Sequence, residues 1–200
     1  MTAERIYIFK RFERFWHWAQ AGLIIFLMLT GFEIHGTYAL MGFEKAVTLH
    51  TIAAWSLVTL WVFAVFWHFT TGEWKQYIPT MEKVDSMFKY YLTGIFSNAE
   101  HPFRQTKGRK HNPLQRLAYL FFWLVISPVI WFSGWFYLFY SSWTAWGVDQ
   151  YLSLEWVAFF HTLGAFMILI FFIAHVYLAT AGHTVFGHIK AMITGWEEVE

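Results

Sequence analysis

The stretch HTLGAFMILIFFIAH, residues 161–175, places two histidines in a segment without Lys, Arg, Asp or Glu. An imidazole in hydrocarbon is costly, so a histidine there usually has a function. Fourteen residues of α-helix return the chain to within roughly 40° of the same face and advance it by about 21 Å. His161 and His175 would therefore lie on one face of a membrane helix, one near each membrane surface. That geometry suits two stacked cofactors, each taking one ligand from this helix.

Haem is the cofactor that these ligands indicate, because neutral imidazole is a common axial ligand of haem iron. The chain contains no cysteine. This excludes disulfides, iron–sulfur clusters and thioether-attached haem, so any haem would be bound non-covalently. The alternative is that each histidine is hydrogen-bonded to a neighbouring helix and binds no metal.

Four segments without charge are long enough for the roughly 20 residues of a membrane helix. Hydrophobic residues make up 58% of the chain and charged residues 14%. A chain of 200 residues cannot bury four such helices on all sides, which excludes a water-soluble protein. We therefore predict an all-α fold, an integral membrane four-helix bundle forming a single domain over residues 1–200. The predicted spans are residues 15–35, 47–70, 115–140 and 155–181.

The positive charges indicate how the chain crosses the membrane. Thirteen of the fourteen Lys and Arg residues fall in the N-terminal arm, the loop between spans two and three, or the tail. The positive-inside rule makes that side cytoplasmic and places both termini there. Residues 1–14 carry both charge signs and lack a small-residue cleavage site, so no removable signal peptide is expected. Residues 83–96 mix apolar and charged residues at helical spacing, which predicts a short interfacial helix between spans two and three.

The expected depth of each histidine in the membrane indicates which two could bind the same haem. His17 begins the first span and His175 ends the fourth, both on the inner side. His50 begins the second span and His161 opens the fourth, both on the outer side. A haem with two imidazole ligands needs both at one depth. The topology therefore predicts one inner and one outer pair.

Other histidines compete for these roles. His68 follows His50 by eighteen residues on the same face, and could replace His17 as a ligand or bind a quinone or a haem propionate. His35 stands in the same relation to His17 at the outer end. The remaining histidines are expected to be solvated or at a partner surface: His101, His111, His183 and His188.

Small and basic residues near the predicted ligands have two interpretations each. Arg11 and Arg14 lie one turn before His17, where they could pair with haem propionates or anchor the chain to lipid headgroups. Pro128 lies mid-span and should distort the third helix. Three glycines could admit a flat macrocycle or pack helices together: Gly22, Gly31 and Gly164.

With these residues the chain resembles the di-haem cytochrome b subunits of membrane respiratory oxidoreductases. That family includes the formate dehydrogenase gamma subunit and the hydrogenase and thiosulfate reductase cytochrome b subunits. The resemblance covers nearly the whole chain and implies two haem b groups with the same ligand pairs, in the bacterial cytoplasmic (inner) membrane. The matching segments are RFERFWHW (11–18), TLH (48–50), HTLGAF (161–166), IAHVY (173–177) and IKAMITG (189–195).

The resemblance also implies a site for menaquinone or ubiquinone on the cytoplasmic side, next to the inner haem. Asn112 matches the family's Asn in the polar motif GRKHNPLQR (108–116), and Gln115 matches a nearby Gln. Leu114 stands where the formate dehydrogenase version has a Gly. From the residues alone, Asn112 before Pro113 could equally cap the third helix.

The function implied is electron transfer between the quinone pool and a periplasmic iron–sulfur or multihaem cytochrome c subunit, which the chain would anchor. The outer loops are too short for a substrate-binding domain, and their aromatic residues fit either a docking surface or a lipid belt. One alternative is a stand-alone transmembrane haem b reductase with an outer acceptor. Another is a haem-free channel, transporter or assembly anchor. No nucleic-acid partner is expected. The outer-loop aromatic residues are Tyr38, Phe43, Tyr140, Trp143, Trp146 and Tyr151.

Overall fold

A computed structural model describes residues 4–97, 99–180 and 184–199 of the chain. These residues form eight α-helices and two short strands. The helices are α1 Arg11–Ile34, α2 Phe43–Thr71, α3 Val84–Leu92, α4 Pro113–Phe121, α5 Ser127–Leu138, α6 Trp143–Trp146, α7 Leu154–Ala179 and α8 Gly187–Thr194. The strands are β1 Glu4–Tyr7 and β2 Trp196–Val199. Short 3₁₀ segments are Glu73–Tyr77, Gly94–Phe96, Tyr140–Ser142 and Val148–Gln150.

Four of these helical stretches are long and apolar enough to cross a membrane: α1, α2, the run Pro113–Leu138 and α7. Their mean hydropathies are 1.3, 1.8, 1.8 and 2.3. Their surfaces carry large apolar side chains that a water-soluble protein would bury, such as Phe63 (62% exposed), Phe66 (66%) and Ile170 (65%). The chain is therefore a multi-pass membrane protein, and the predicted four membrane helices are confirmed. A helix is also present within residues 83–96, as α3.

The third membrane helix is irregular near its proline. A π-helical turn, Phe122–Ile126, joins α4 to α5, and Pro128 follows it in the first turn of α5. Proline has no N–H to donate and its ring clashes with the carbonyl four residues back. A wider turn just before it is a common way to absorb that clash inside a helix. The distortion predicted at Pro128 thus takes the form of a π-helical turn.

The described chain forms two compact units. The first unit consists of residues 4–78, 103–110, 179–180 and 184–199, and contains α1, α2, α8 and both strands. The second consists of residues 79–97, 99–102 and 111–178, and contains α3 to α6 and nearly all of α7.

A two-stranded antiparallel sheet closes the first unit, and sequence analysis did not anticipate it. β1 pairs with β2 from Glu4 opposite Val199 to Tyr7 opposite Trp196. Gly195 precedes β2 with φ +90°, and its carbonyl accepts hydrogen bonds from the backbone of Ile8 and Phe9. A Cβ at Gly195 would lie 2.5 Å from the Tyr7 ring, so only glycine fits this turn.

Buried charges tie the first unit together at its predicted cytoplasmic end. The Lys110 Nζ lies 2.7 Å from Glu13 Oε1 and 2.7 Å from Glu73 Oε2, and the Lys110 side chain is only 4% exposed. Lys10 Nζ lies 2.6 Å from the other Glu73 oxygen. We call Lys10, Glu13, Glu73 and Lys110 the ion-pair cluster. It joins α1, the turn after α2 and the segment 103–110, which are far apart in sequence.

The ion-pair cluster perturbs its own titration. The hydrogen bond and charge of Glu73 raise the pKa of Lys10 above its ordinary value. Burial alone would raise the pKa of Glu73, but hydrogen bonds from Lys10 and Lys110 outweigh it and hold that pKa below its ordinary value. Lys10 and Glu73 therefore both remain charged at neutral pH.

Substituting Lys110→Met should destabilise the protein strongly, because it leaves the Glu13 and Glu73 carboxylates buried without their shared cation. Breaking a buried ion pair in this way costs about 3–5 kcal/mol. The midpoint of thermal unfolding in detergent should fall accordingly. Lys107→Met is the matched control, since Lys107 is exposed in the same segment, and it should change the midpoint little. Equal midpoints for the two variants would show that the ion-pair cluster does not stabilise this end of the protein.

Candidate functional site

The four predicted ligands lie in the membrane helices, and all four are half-buried. His17 lies in α1 and His50 in α2, both in the first unit. His161 and His175 lie in α7, in the second unit.

In the first unit a threonine and a glycine of α1 hold the ring of His50. Thr30 is fully buried, and its hydroxyl donates to the Phe26 carbonyl at 2.9 Å. The Thr30 Oγ1 lies 2.9 Å from His50 Nδ1. With the single hydroxyl proton assigned to the carbonyl, the oxygen accepts from Nδ1–H, and the Leu27 carbonyl is a second hydrogen-bond partner of the ring. In this assignment the lone pair of His50 lies on Nε2, the nitrogen that can bind iron. A Cβ at Gly31 would lie 3.6 Å from His50 Cε1, so the ring packs close to the α1 backbone.

An acidic residue at the C-terminal end of α1 fixes where α2 begins. Glu33 is 5% exposed, and its Oε1 accepts hydrogen bonds from the backbone N–H groups of residues 40, 41 and 42 at 2.6–2.8 Å. Gly42 has φ +89° and α2 starts at the next residue. His50 follows seven residues later, so this carboxylate sets the position of His50 along α2. The sequence showed Glu33 only as the end of a charge-free segment.

The second unit contains the same arrangement around His161. Ser133 of α5 is 5% exposed, and its hydroxyl donates to the Val129 carbonyl at 2.6 Å while lying 3.0 Å from His161 Nδ1. A Cβ at Gly134 would lie 3.4 Å from His161 Cε1. His161 follows the start of α7 by seven residues, as His50 follows the start of α2. Each unit thus presents a hydroxyl and a glycine, adjacent in sequence, to one histidine; we call Thr30–Gly31 and Ser133–Gly134 the hydroxyl–glycine pairs.

The structure separates the two interpretations of the other glycines. A Cβ at Gly164 of α7 would lie 3.2 Å from the side chains of Val129 and Ile130. Gly164 therefore packs α7 against α5, beside Ser133 and His161. At Gly22 of α1 nothing in the described chain lies within 4 Å of a Cβ, which leaves that face open to a flat group.

The inner predicted ligands have aromatic neighbours. The His17 ring meets Trp18 edge-on with centroids 5.1 Å apart. The His175 ring is parallel to Phe171, one turn earlier in α7, with centroids 6.1 Å apart and 7° between the planes.

The two arginines before His17 have different environments. Arg14 donates from Nη1 to the Ile193 carbonyl, and Trp18 donates to the Met192 carbonyl at 3.0 Å, which ties α1 to the end of α8. Arg11 is exposed. Both arginines line a groove of about 790 Å³ within the first unit; its other lining residues are Phe15, Trp18, Ala19, Met192 and Ile193.

His68, the competing inner ligand, is enclosed by aromatic rings. Its Nδ1 donates to the Ala64 carbonyl at 2.7 Å, and the side chains of Trp16, Trp67 and Tyr77 surround it at centroid distances of 5.0–5.4 Å. The residue is 8% exposed, and its Nε2 has no hydrogen-bond partner among the described residues. Three aromatic rings therefore pack directly against the His68 imidazole.

The remaining histidines lie outside the membrane helices. His35 is exposed just after α1. His101 contacts the Tyr90 ring at 4.7 Å, and His188 Nδ1 lies 3.2 Å from a Glu197 oxygen. His111 meets Tyr119 edge-on. His183 lies outside the described residues.

Asn112 and Gln115 form a capping box at the start of α4. Asn112 Oδ1 accepts from the Gln115 backbone at 2.8 Å, and Gln115 Oε1 accepts from the Asn112 backbone at 2.9 Å. The capping role predicted for Asn112 is confirmed. Asn112 Nδ2 also donates to the Tyr91 hydroxyl of α3 at 2.9 Å. Burial raises the pKa of Tyr91 although the Asn112 bond opposes it, so the phenol keeps its proton at neutral pH. Sequence analysis missed Tyr91.

The loop between α5 and α7 corrects one expectation. Trp143 is 3% exposed and its indole donates to the Phe136 carbonyl at 3.0 Å, so it holds α6 against α5 and is not available for docking. Trp146 and Tyr151 are 62% and 90% exposed.

The ligand chemistry fits a haem better than a bare metal ion. Among the described residues no three His, Asp or Glu side chains converge on a common point. A haem supplies four equatorial nitrogens and needs only axial ligands, which a lone imidazole with its lone pair on Nε2 can provide. The contacts of the hydroxyl–glycine pairs fit that state at His50 and His161. Four apolar helices carrying such histidines define a multi-pass membrane haem protein.

The chain belongs to the prokaryotic cytochrome b561 family, whose model matches residues 8–195. A relative from Escherichia coli, named putative cytochrome YdhU, is 29% identical over 201 residues, which cover 96% of this chain and 75% of that protein. A relative from Cupriavidus necator, named probable Ni/Fe-hydrogenase B-type cytochrome subunit, is 26% identical over 208 residues, covering 86% and 78%. No solved structure matches the chain. The prediction that the chain is a membrane cytochrome b subunit is confirmed. Membership of this family implies that the chain binds haem b and takes part in electron transport.

Proposed function

We propose that the chain is a di-haem b subunit that transfers electrons across the bacterial cytoplasmic membrane, between quinone and a periplasmic redox subunit that it anchors. The observation that carries this proposal is the repeated arrangement in which the hydroxyls of Thr30 and Ser133 lie within 3.0 Å of Nδ1 of His50 and His161, which fits lone pairs on Nε2. Haem supplies one-electron chemistry when it is bound. The protein supplies the axial nitrogens and keeps water away from the path.

The proposed ligand pairs are His17 with His175 for the inner haem and His50 with His161 for the outer haem. Depth supports the outer pair, because both residues follow the starts of their helices by seven residues and both helices begin on the predicted outer side. His17 is six residues into α1, and His175 is four residues before the end of α7, which supports the inner pair. The enclosed ring of His68 argues against its replacing His17.

Purified protein should contain two b-type haems per chain, measured from the reduced-minus-oxidised spectrum and the protein concentration. His50→Ala and His161→Ala should each remove the same haem and spare most of the other, because each deletes one axial ligand of the outer site. His68→Phe should leave both haems in place.

Three results would contradict this assignment. They are a colourless folded preparation made with haem available, loss of different haems in His50→Ala and His161→Ala, or loss of the inner haem in His68→Phe but not in His17→Ala.

We place the quinone site at the cytoplasmic end of the third membrane helix, near Asn112 and Gln115. The Gln115 Nε2 amide takes no part in the capping box and can donate to a quinone carbonyl. Tyr91 offers a protonated phenol beside Asn112. Reduction of menaquinone or ubiquinone here would take two electrons from the inner haem and two protons from the cytoplasm. Arg11 and Arg14 remain candidates for contacts to the inner haem propionates.

Gln115→Glu separates the capping role from the quinone role. A glutamate at this position still accepts from the Asn112 backbone, so thermal stability and haem content should be unchanged. The amide donor is lost and a negative charge is added, so the KM for a soluble quinone should rise by about tenfold, the effect of losing about 1.4 kcal/mol. Wild-type quinone kinetics in this variant would reject Gln115 as a quinone ligand.

The partner is proposed from the outer surface and from the relatives. The Cupriavidus necator relative is named as a hydrogenase cytochrome subunit, and we infer that this chain also serves a larger complex through a periplasmic iron–sulfur or multihaem cytochrome c subunit. Trp146 and Tyr151 offer exposed aromatic surface for such a contact. A stand-alone reductase would instead purify alone and reduce an outer acceptor directly.

The double substitution Trp146→Ala and Tyr151→Ala should reduce co-purification of the partner subunit several-fold, because it removes the exposed aromatic contacts. Haem content should not change. Trp74→Ala is the control, since Trp74 is 41% exposed on the predicted cytoplasmic side. If the double variant retains the partner as the wild type does, this loop is not the docking surface.

A further inference from the structure

Hydroxyl side chains in membrane helices commonly bond the carbonyl four residues earlier and contact nothing else polar. Ser56 and Thr59 of α2 do this at 2.8 and 2.9 Å, and both are exposed. Thr30 and Ser133 make the same backbone bond but are buried, and each oxygen also lies within 3.0 Å of a histidine Nδ1. The second contact occurs independently in the two units.

We infer that Thr30 and Ser133 are positioning residues that lower the reduction potential of the outer haem by accepting hydrogen bonds from its two ligands. The inference rests on the proposed ligand pair His50 and His161. An imidazole whose Nδ1–H is bonded to an acceptor donates more electron density through Nε2 to its metal. That donation stabilises ferric over ferrous iron, and a more stable oxidised state means a lower potential.

Two features strengthen each hydroxyl as an acceptor. Its own proton is given to a backbone carbonyl, which polarises the oxygen, and each hydroxyl belongs to a buried residue of an apolar helix. The adjacent glycine lets the imidazole approach the helix closely enough for the bond to form. A Cβ at Gly134 would already be in contact with the His161 ring at 3.4 Å.

The test is a redox titration of the two haems, followed by visible absorbance, in the purified complex. Thr30→Val removes the hydroxyl with little change of shape, and Ser133→Ala removes one oxygen. Each should shift the outer-haem component to higher potential and leave the inner component unchanged. The double variant should show about the sum of the two shifts, because each residue acts through a different ring. The low-spin ferric signal of the outer haem in electron paramagnetic resonance should change as well.

Matched controls separate this role from general packing. Thr59→Val and Ser56→Ala remove hydroxyls with the same backbone bond in α2, and should shift neither component. Thr30→Ser keeps the hydroxyl and should keep the wild-type potential. If Thr30→Val does not fold, Ser133→Ala carries the test alone, since it acts in the other unit.

The inference is overturned if the outer component stays in place or moves to lower potential in Ser133→Ala and Thr30→Val, or if the inner component moves as far as the outer. Two outcomes distinguish an error in this inference from an error in the proposed ligand assignment. If His50→Ala removes one haem but Thr30→Val leaves the outer potential unchanged, the ligand assignment stands and only the role of the hydroxyl is wrong. If His50→Ala leaves two haems, the ligand assignment itself is wrong, and the inference falls with it.

Discussion

An imidazole among apolar membrane helices must have both ring nitrogens satisfied without water. At His50 and His161 the hydroxyls of Thr30 and Ser133 satisfy Nδ1. The lone pair is then on Nε2, where iron is a suitable partner. This requirement of the hydrocarbon environment favours that tautomer, on which the proposed ligand roles of His50 and His161 rest. Each hydroxyl also bonds a carbonyl of its own helix, so its proton and its oxygen both have partners.

Charged groups at the ends of the first unit also have polar partners, and these contacts set the positions of α1 and α2 along their axes. At one end, Lys110 is bonded to Glu13 and Glu73, which holds the segment before α4 against α1 and the turn after α2. At the opposite end of α1, three backbone N–H groups surround one oxygen of Glu33, just before α2 begins. A helix fixed at its ends presents its interior residues at fixed depths. The depth of His50, on which its proposed pairing depends, is thus set by polar contacts outside the apolar part of the helix.

Features that depend on local pattern could be predicted from the sequence. Charge-free length predicted four membrane helices, and the spacing within residues 83–96 predicted α3. The Asn112-Pro113 dipeptide suggested a helix cap, which the structure contains. Motif resemblance predicted the family, which the comparisons confirm. These succeed because helix formation, capping and membrane insertion are decided by neighbouring residues.

Contacts between distant residues could not be predicted in this way. Lys110 and Glu13 are 97 residues apart, and Arg5 and Glu198 are 193 apart. Thr30 and Ser133 had no feature to set them apart from other hydroxyls in apolar segments, because their partners lie on other helices. Trp143 looked like the other outer-loop aromatic residues, and only its packing under α5 shows that it is structural. In each case the contact depends on which helix faces overlap, and periodicity does not encode that.

Because the chain has no cysteine, the hydroxyl–glycine pairs contribute more to haem retention than they would in a cytochrome with thioether-bound haem. A non-covalent haem is retained only by its axial bonds and by packing, so freedom lost by the ligands on binding directly lowers affinity. An imidazole already held in one orientation and one tautomer loses little further freedom when it binds iron. The glycine provides the space for that orientation and the hydroxyl selects it. Each unit therefore holds its proposed ligand within its own helices, with Thr30 acting across α1 and α2 and Ser133 across α5 and α7.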